Sequence, residues 1–306
     1  MGIEGYIKWV ENKYDDCILP INKENVYANI CIDLNHILHT NIQLGQTVDE
    51  FLKELDGTLT FIFNNFYPLK RIIISIDGPA PYSKTILQRK RRSCITNIPK
   101  SANIVSPLDL TPGSKFMDKL DRHLVNFGNK LKKNYNFRCP DIIILSSKEP
   151  DEGELKIYKK LSEIYETGDN SNNNDPSKDK TLIIGNDADL IPMSVAFTPR
   201  SNIFILMKFE KKRQLISINS LLSKHMKMMN LNINDITDDI RADFALISIL
   251  VGNDYIHKLK YITLDCIWDA YYKTYNILKK TFMTGNKFDH DFMTLFLHMV
   301  TKIKNK

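Results

Sequence analysis

The feature that most constrains this chain is a repeated one: a short β-branched apolar run that stops at, or just before, an acidic residue. Val26-Tyr-Ala-Asn-Ile-Cys-Ile-Asp33 and Arg71-Ile-Ile-Ile-Ser-Ile-Asp77 are two examples. Asp141-Ile-Ile-Ile-Leu-Ser146 leads into Pro150-Asp-Glu-Gly-Glu-Leu-Lys156, and Thr181-Leu-Ile-Ile-Gly-Asn-Asp-Ala-Asp189 delivers two aspartates one residue apart. Continuous apolar runs of this length suit strands buried on both faces. Residues 203–208 read as a fifth strand. Between the runs, the 3–4 spacing of Phe51, Leu52, Leu55, Leu59, Ile62 and Phe63 predicts a helix. Further helical patterns cover about 111–133, 155–166, 215–229 and 238–252, a short one covers 6–16, and the tail to 306 is mostly helical. Strands alternating with helices predict an α/β fold. Its central sheet is mostly parallel and flanked by helices on both faces, with a helical C-terminal part. The polar stretch 167–180 reads as a surface loop.

Composition narrows the class. The chain has 306 residues, 43% hydrophobic, enough for one large α/β domain or a domain with an accessory lobe. A net charge of +6 is compatible with a polyanionic partner. Five cysteines, with no CxxC pair, predict a reducing compartment without a zinc site or a disulfide framework. The N-terminus carries charges where a signal peptide needs its apolar core. The longest apolar run, Phe244 to Val251, is too short to cross a bilayer. The expectation is an intracellular, cytoplasmic protein, the nucleus remaining open, with no membrane partner.

In a parallel sheet, strand tips lie on one edge, where ligands bind. Asp33, Asp77 and Asp187 with Asp189 are thereby expected together with Glu152 and Glu154 and with Asp254 of Leu250-Val-Gly-Asn-Asp-Tyr. One such aspartate alone reads as a helix cap or turn residue. Seven on one edge repel by several kcal/mol unless cations neutralise them. Carboxylates without thiolate or imidazole suit a hard, oxygen-preferring ion such as Mg²⁺. Two such ions about 4 Å apart polarise a phosphodiester and activate water, which points to metal-assisted phosphodiester hydrolysis.

A basic run follows the second tip directly: Asp77-Gly-Pro-Ala-Pro-Tyr-Ser-Lys84-Thr-Ile-Leu-Gln88-Arg-Lys-Arg91-Arg92. Lys84, Gln88 and Arg91 or Arg92 fall at i, i+4 and i+7 or i+8, so a helix turns them one way. Such a row holds a phosphate by charge-assisted bonds. The plainer alternatives are a solvated basic face or a nuclear localisation signal.

These motifs resemble the first conserved region of the Xrn-type 5′→3′ exoribonucleases, distant relatives of the flap endonucleases with their PIN-like fold. The likeness runs in order through Met1-Gly-Ile, Ile32-Asp-Leu-Asn-His-Ile-Leu-His39, Ile76-Asp-Gly-Pro-Ala-Pro81 and Gln88-Arg-Lys-Arg-Arg92. It continues through Thr111-Pro-Gly-Ser-Lys-Phe-Met117, Pro150 to Lys156, Gly185-Asn-Asp-Ala-Asp-Leu-Ile191 and Leu250-Val-Gly-Asn-Asp-Tyr-Ile256. The resemblance implies a nuclease domain over 1–260 and a helical extension over 261–306. It implies that Asp33, Asp77, Glu152, Glu154, Asp187, Asp189 and Asp254 bind two Mg²⁺ or Mn²⁺ ions. It also implies that Lys84, Gln88, Arg91 and Arg92 receive the 5′-monophosphate of single-stranded RNA, and that His39 stacks on the first base. The pattern is broken at Glu4, His36, Tyr82, Lys115 and Asp151, where the family has proline, glycine, a basic residue, an acid and glycine. After residue 260 no segment matches the family's second conserved region.

The activity implied is degradation of 5′-monophosphorylated RNA to mononucleotides. A structure-specific 5′ DNA nuclease of the flap type is the alternative. Its glycine-rich helix-hairpin-helix has no counterpart, since no glycine occurs between Gly252 and Gly285. A catalytically idle RNA-binding module is a third reading, opposed by the presence of all seven acids.

Overall fold

The structure, a computed structural model, describes residues 2–21, 26–95, 103–134, 141–167, 179–197, 202–209, 212–258 and 261–304. The first elements in chain order are α1 (Tyr6–Lys13), β1 (Ile18–Leu19), β2 (Val26–Asp33), α2 (Leu34–Asn41), α3 (Val48–Asn65), β3 (Tyr67–Ser75) and α4 (Tyr82–Ser93). Then come α5 (Lys115–Asn134), β4 (Asp141–Leu145), α6 (Gly153–Thr167), β5 (Thr181–Ile184), α7 (Leu190–Phe197), β6 (Ile203–Phe209) and β7 (Lys212–Ser217). The chain continues with α8 (Ile218–Met228), α9 (Asp238–Ile249), α10 (Leu264–Leu278), β8 (Met283–Thr284), β9 (Lys287–Phe288) and α11 (His290–Lys304). Most of the loop expected over 167–180, and Cys139, lie outside the described residues.

The chain divides into two compact units, Ile21–Gly185 and Met1–Pro20 together with Asn186–Lys306. In the first unit, β5, β2, β3 and β4 lie side by side in that order, all parallel. Strand β2 is central, and every residue from Tyr27 to Asp33 is buried. That is why its sequence shows no polar alternation. Its one buried amide, Asn29, donates from Nδ2 to Thr181 Oγ1 at 3.0 Å. The connecting helices carry one apolar face each. In α3, Phe51, Leu52, Leu55, Leu59, Ile62 and Phe63 are buried. Its start is fixed by a Thr47–Glu50 capping box, a motif of about 1 kcal/mol. Helix α5 packs on α3 through an edge contact of Phe116 with Phe51 at 5.4 Å.

In the second unit, β6 and β7 form an antiparallel pair, and β1 pairs antiparallel with β7. This corrects the expectation that residues 215–229 are helical from the start. Leu215, Ile216 and Ser217 are strand, held by Leu206, Ile205 and Phe204. The helix begins only at Ile218, where the Ser217 side chain accepts from the Ser220 amide. The core of this unit is aromatic. Trp9 stacks on Trp268 at 5.7 Å, with Tyr14, Phe244, Tyr271 and Tyr272 around them. Phe282, Phe292 and Phe296 extend the cluster from the hairpin and α11. Among the described residues no helix is long and apolar enough to cross a membrane.

Candidate active site

Strand register in the first unit decides where its acids go. Asp33 lies opposite Ser75, and Ser75 opposite Leu145. The segments that follow these residues therefore leave from one edge. Asp33 caps α2, its Oδ1 accepting from the Asn35 amide at 3.4 Å and from Asn35 Nδ2 at 3.3 Å. Asn35 Oδ1 in turn accepts from the Asp77 amide at 3.2 Å. Asp77 Oδ1 accepts from the Gly153 amide at 2.7 Å. One asparagine and one backbone amide thus hold the two aspartates beside the first turn of α6. The fit at Gly153 is close: a Cβ there would lie 2.7 Å from Asp33 Oδ1 and 3.4 Å from Asp77 Oδ1.

The turns that carry Asp77 and Glu152 are locked to each other. The Gly78 amide donates to the Asp151 carbonyl at 2.9 Å, and the Asp151 amide to the Pro79 carbonyl at 3.2 Å. A Cβ on Gly78 would overlap the Glu149 carbonyl, so only glycine fits there. Two side chains brace this turn from behind. Asp121 of α5 accepts from Ser146 Oγ at 2.8 Å and from the Ser147 amide and hydroxyl at 3.1 and 2.8 Å. Lys156 of α6 donates to the Ser146 carbonyl at 2.8 Å and to the Glu149 carbonyl at 3.5 Å. Burial pushes the Lys156 pKa down.

Helix α4 brings its basic row to the same place. Lys84 is buried, and its Nζ lies 2.6 Å from Glu152 Oε1. Gln88 Oε1 accepts from Arg92 Nη2 at 3.2 Å. Lys84, Gln88 and Arg92 are the less exposed positions of the row, and Arg91 is exposed. Arg92 is thus the arginine that continues the inward-facing row. Glu154 is half-buried on the first turn of α6. His39 is exposed on the last turn of α2, and the protein mass behind it lowers its pKa.

In the second unit, Asp187 and Asp189 meet at the residues preceding α1. Asp189 Oδ1 accepts from the Ile3 amide at 3.2 Å, and Asp187 Oδ1 from the Asp189 amide at 3.4 Å. Gly2 has φ +80, and a Cβ there would lie 2.1 Å from Asp187 Oδ1. Asp254 is half-buried in the turn after α9. That turn is held by Asn253 Oδ1, which accepts from the Tyr255 and Ile256 amides at 2.9 and 2.8 Å.

The model for the XRN 5′–3′ exonuclease N-terminus matches residues 1–208. The chain belongs to that family. It is 26% identical over 307 residues to 5′–3′ exoribonuclease 1 of Saccharomyces cerevisiae, covering 85% of this chain and 19% of the relative. It is 24% identical over 314 residues to 5′–3′ exoribonuclease 1 of Homo sapiens, covering 87% of this chain and 18% of the relative. The chain therefore spans less than a fifth of the length of these relatives. Among solved structures, the catalytic core of Rad2 in complex with DNA substrate is similar with a TM-score of 0.48 and 18% identity, covering 97% of this chain and 81% of that one.

The acids brought together in the first unit, Asp33, Asp77 and Glu152, offer oxygen donors only. Among the described residues no three His, Cys, Asp or Glu side chains close into a ready-made ligand group. Asn35, the Gly153 amide and the Lys84 ammonium stand between the carboxylates. Burial is the larger cause, and the charge of Glu152 a further one, that raises the Asp77 pKa. A carboxyl whose pKa is raised chiefly by burial, and further by the Glu152 charge, gains from an added cation, so these oxygen donors fit a hard divalent ion. Asn35, Gly153, Asp121 and Lys156 were not singled out from the sequence. Asn35 two residues past Asp33 is an Asx pattern, and a glycine between Glu152 and Glu154 at a helix start is the other available signal.

Proposed function

We propose that this chain is the nuclease domain of a metal-dependent 5′→3′ exoribonuclease that removes mononucleotides from 5′-monophosphorylated RNA. The supporting observation is the placement of Asp33, Asp77 and Glu152 at one strand edge, with the Lys84–Gln88–Arg92 row of α4 against them. In this reading Asp33, Asp77, Glu152 and Glu154 of the first unit are ligands for Mg²⁺ or Mn²⁺, and Asp187, Asp189 and Asp254 of the second unit are ligands as well. Bound divalent ions polarise the scissile phosphodiester and lower the pKa of attacking water. The side chains do the rest. Lys84, Gln88, Arg91 and Arg92 receive the terminal phosphate through charge-assisted bonds. Neutral His39 offers a flat face to the first base. The Lys84–Glu152 ion pair, at 2.6 Å, supports a reading in which recognition of the 5′ end and hydrolysis of the next bond are coupled.

The test is decay of one RNA sequence carrying a 5′-monophosphate, a 5′-hydroxyl or a 5′-triphosphate, with Asp189→Asn as the inactive control. The monophosphate is expected to be degraded at least tenfold faster, and Asp189→Asn to lose Mg²⁺-dependent decay on all three while keeping its melting temperature. Equal rates on the three ends remove the phosphate pocket. Unchanged decay by Asp189→Asn removes the acids.

A further inference from the structure

Helix α4 has a second face that the phosphate row does not use. Tyr82, Ile86 and Arg89 fall at i, i+4 and i+7, with Lys90 beside them, and point away from Lys84, Gln88 and Arg92. Tyr82 is 85% exposed and Ile86 69% exposed, and Arg89 and Lys90 are also exposed. A single exposed apolar side chain means nothing. Here an aromatic ring and an isoleucine share one face of a helix with five basic residues and no acid. Tyr82 also stands where the family pattern has a basic residue, so a ring takes the place of a charge there.

We propose that this outer face is a second contact for single-stranded nucleic acid, with a base stacked on Tyr82 against Ile86 and the backbone held by Arg89 and Lys90. It rests on the reading of the chain as an RNA nuclease and adds a binding site to it. The charge argues for a polyanion, and the ring for one with flat, apolar faces. An anionic membrane is the poorer occupant, because one tyrosine and one isoleucine bury too little apolar area to anchor a helix. An acidic peptide would use the charges and leave the ring without a role. The two faces of α4 then serve one strand, the inner one for its terminal phosphate and the outer one for nucleotides further along.

The experiment measures affinity for 5′-monophosphorylated dinucleotide and 20-nucleotide single-stranded RNA, with Ca²⁺ replacing Mg²⁺. Tyr82→Ala is expected to weaken 20-mer binding about tenfold, the loss of one stacked base, and to leave dinucleotide binding unchanged. Tyr82→Phe is expected to retain the affinity. Arg89→Ala combined with Lys90→Ala is expected to reduce the slope of log affinity against log salt by about 1.4, two single-strand phosphate contacts. Circular dichroism confirms that the variants fold. Wild-type affinity for the 20-mer in both variants overturns the outer face alone. So does a loss confined to anionic vesicles or to polyglutamate. A wild-type chain that neither binds nor degrades RNA overturns the parent reading as well.

Discussion

Asp151 shows how one residue records both a family constraint and a departure from it. Its φ is +85, in the left-handed region that glycine enters freely. Glycine is the residue the family pattern has there. Aspartate tolerates this conformation better than most side chains, at a cost of about 1 kcal/mol. Its carboxylate pairs with Lys159, an exposed lysine, so that pair contributes little. Asp151→Gly is therefore expected to raise stability by up to about 1 kcal/mol, read as a higher melting temperature, with RNA decay retained. A drop in melting temperature would show that the Lys159 pair outweighs the backbone term. Gly153, two residues on, behaves oppositely. Alanine suits a helix better than glycine by up to about 1 kcal/mol, yet its Cβ would press on Asp33 Oδ1 at 2.7 Å. Gly153→Ala is expected to keep or raise the melting temperature while weakening Mn²⁺ binding at least tenfold by calorimetric titration. Unchanged Mn²⁺ affinity would mean that the spacing of Asp33 and Asp77 does not matter to the cation.

Among the elements, the turn after β4 depends on helices on either side of it. Asp121 of α5 and Lys156 of α6 together satisfy its hydroxyls, one amide and two carbonyls. Lys156→Met keeps the apolar stem and leaves the carbonyls of Ser146 and Glu149 without their ammonium donor. A hydrogen bond to a charged group contributes about 1.5–3 kcal/mol, while the Ser146 carbonyl still accepts from the Glu149 amide at 3.1 Å. Because the turn packs on Gly78, the change is expected to reach Asp77. Lys156→Met is expected to lower kcat at least tenfold at unchanged KM for RNA, with a lower melting temperature. A loss confined to KM would assign Lys156 to substrate binding. This brace was not legible in the sequence, because Asp121 meets Ser146 and Ser147 across 25 and 26 residues with no periodic signature. Strand β7 was missed for a related reason. Leu215-Ile216 fits a strand or a helix equally well, and its neighbour Ile18-Leu19 lies about two hundred residues earlier. The parallel strands were legible because four short β-branched apolar runs, each closed by a turn and an acid, admit few alternatives. The edge carrying Asp33 and Asp77 followed from that topology alone.

For the molecule as a whole, the unit built from both ends of the chain carries two buried titrating groups with opposed effects on stability. Residues from α1, α8, α9 and α10 meet in its aromatic core, where Tyr14 Oη lies 2.8 Å from Tyr272 Oη and His225 Nδ1 3.0 Å from it. Burial lowers the His225 pKa to about 3. An unfolded histidine takes up a proton below about 6.5. The folded state binds fewer protons between these values, so His225 removes stability as pH falls from 6.5 toward 3. Asp243 works against it. Burial raises its pKa to about 6, although Tyr271 and the amides of Phe282 and Met283 donate to it. Its contribution is full below the unfolded value near 3.8 and is lost as pH rises to about 6. Between pH 4 and 6 the two slopes cancel. His225→Phe removes one of them and fills a ring-shaped space, since Nε2 has no hydrogen-bond partner among the described residues. Relative to wild type, the variant is expected to gain about 2 kcal/mol between pH 7 and pH 5, from 1.5 pH units at about 1.4 kcal/mol each. The chain's two tryptophans, Trp9 and Trp268, both lie in this core, so urea unfolding followed by their fluorescence reports on this unit. A variant-to-wild-type difference that does not change with pH would mean that His225 is protonated alike in both states, and that burial does not hold it neutral.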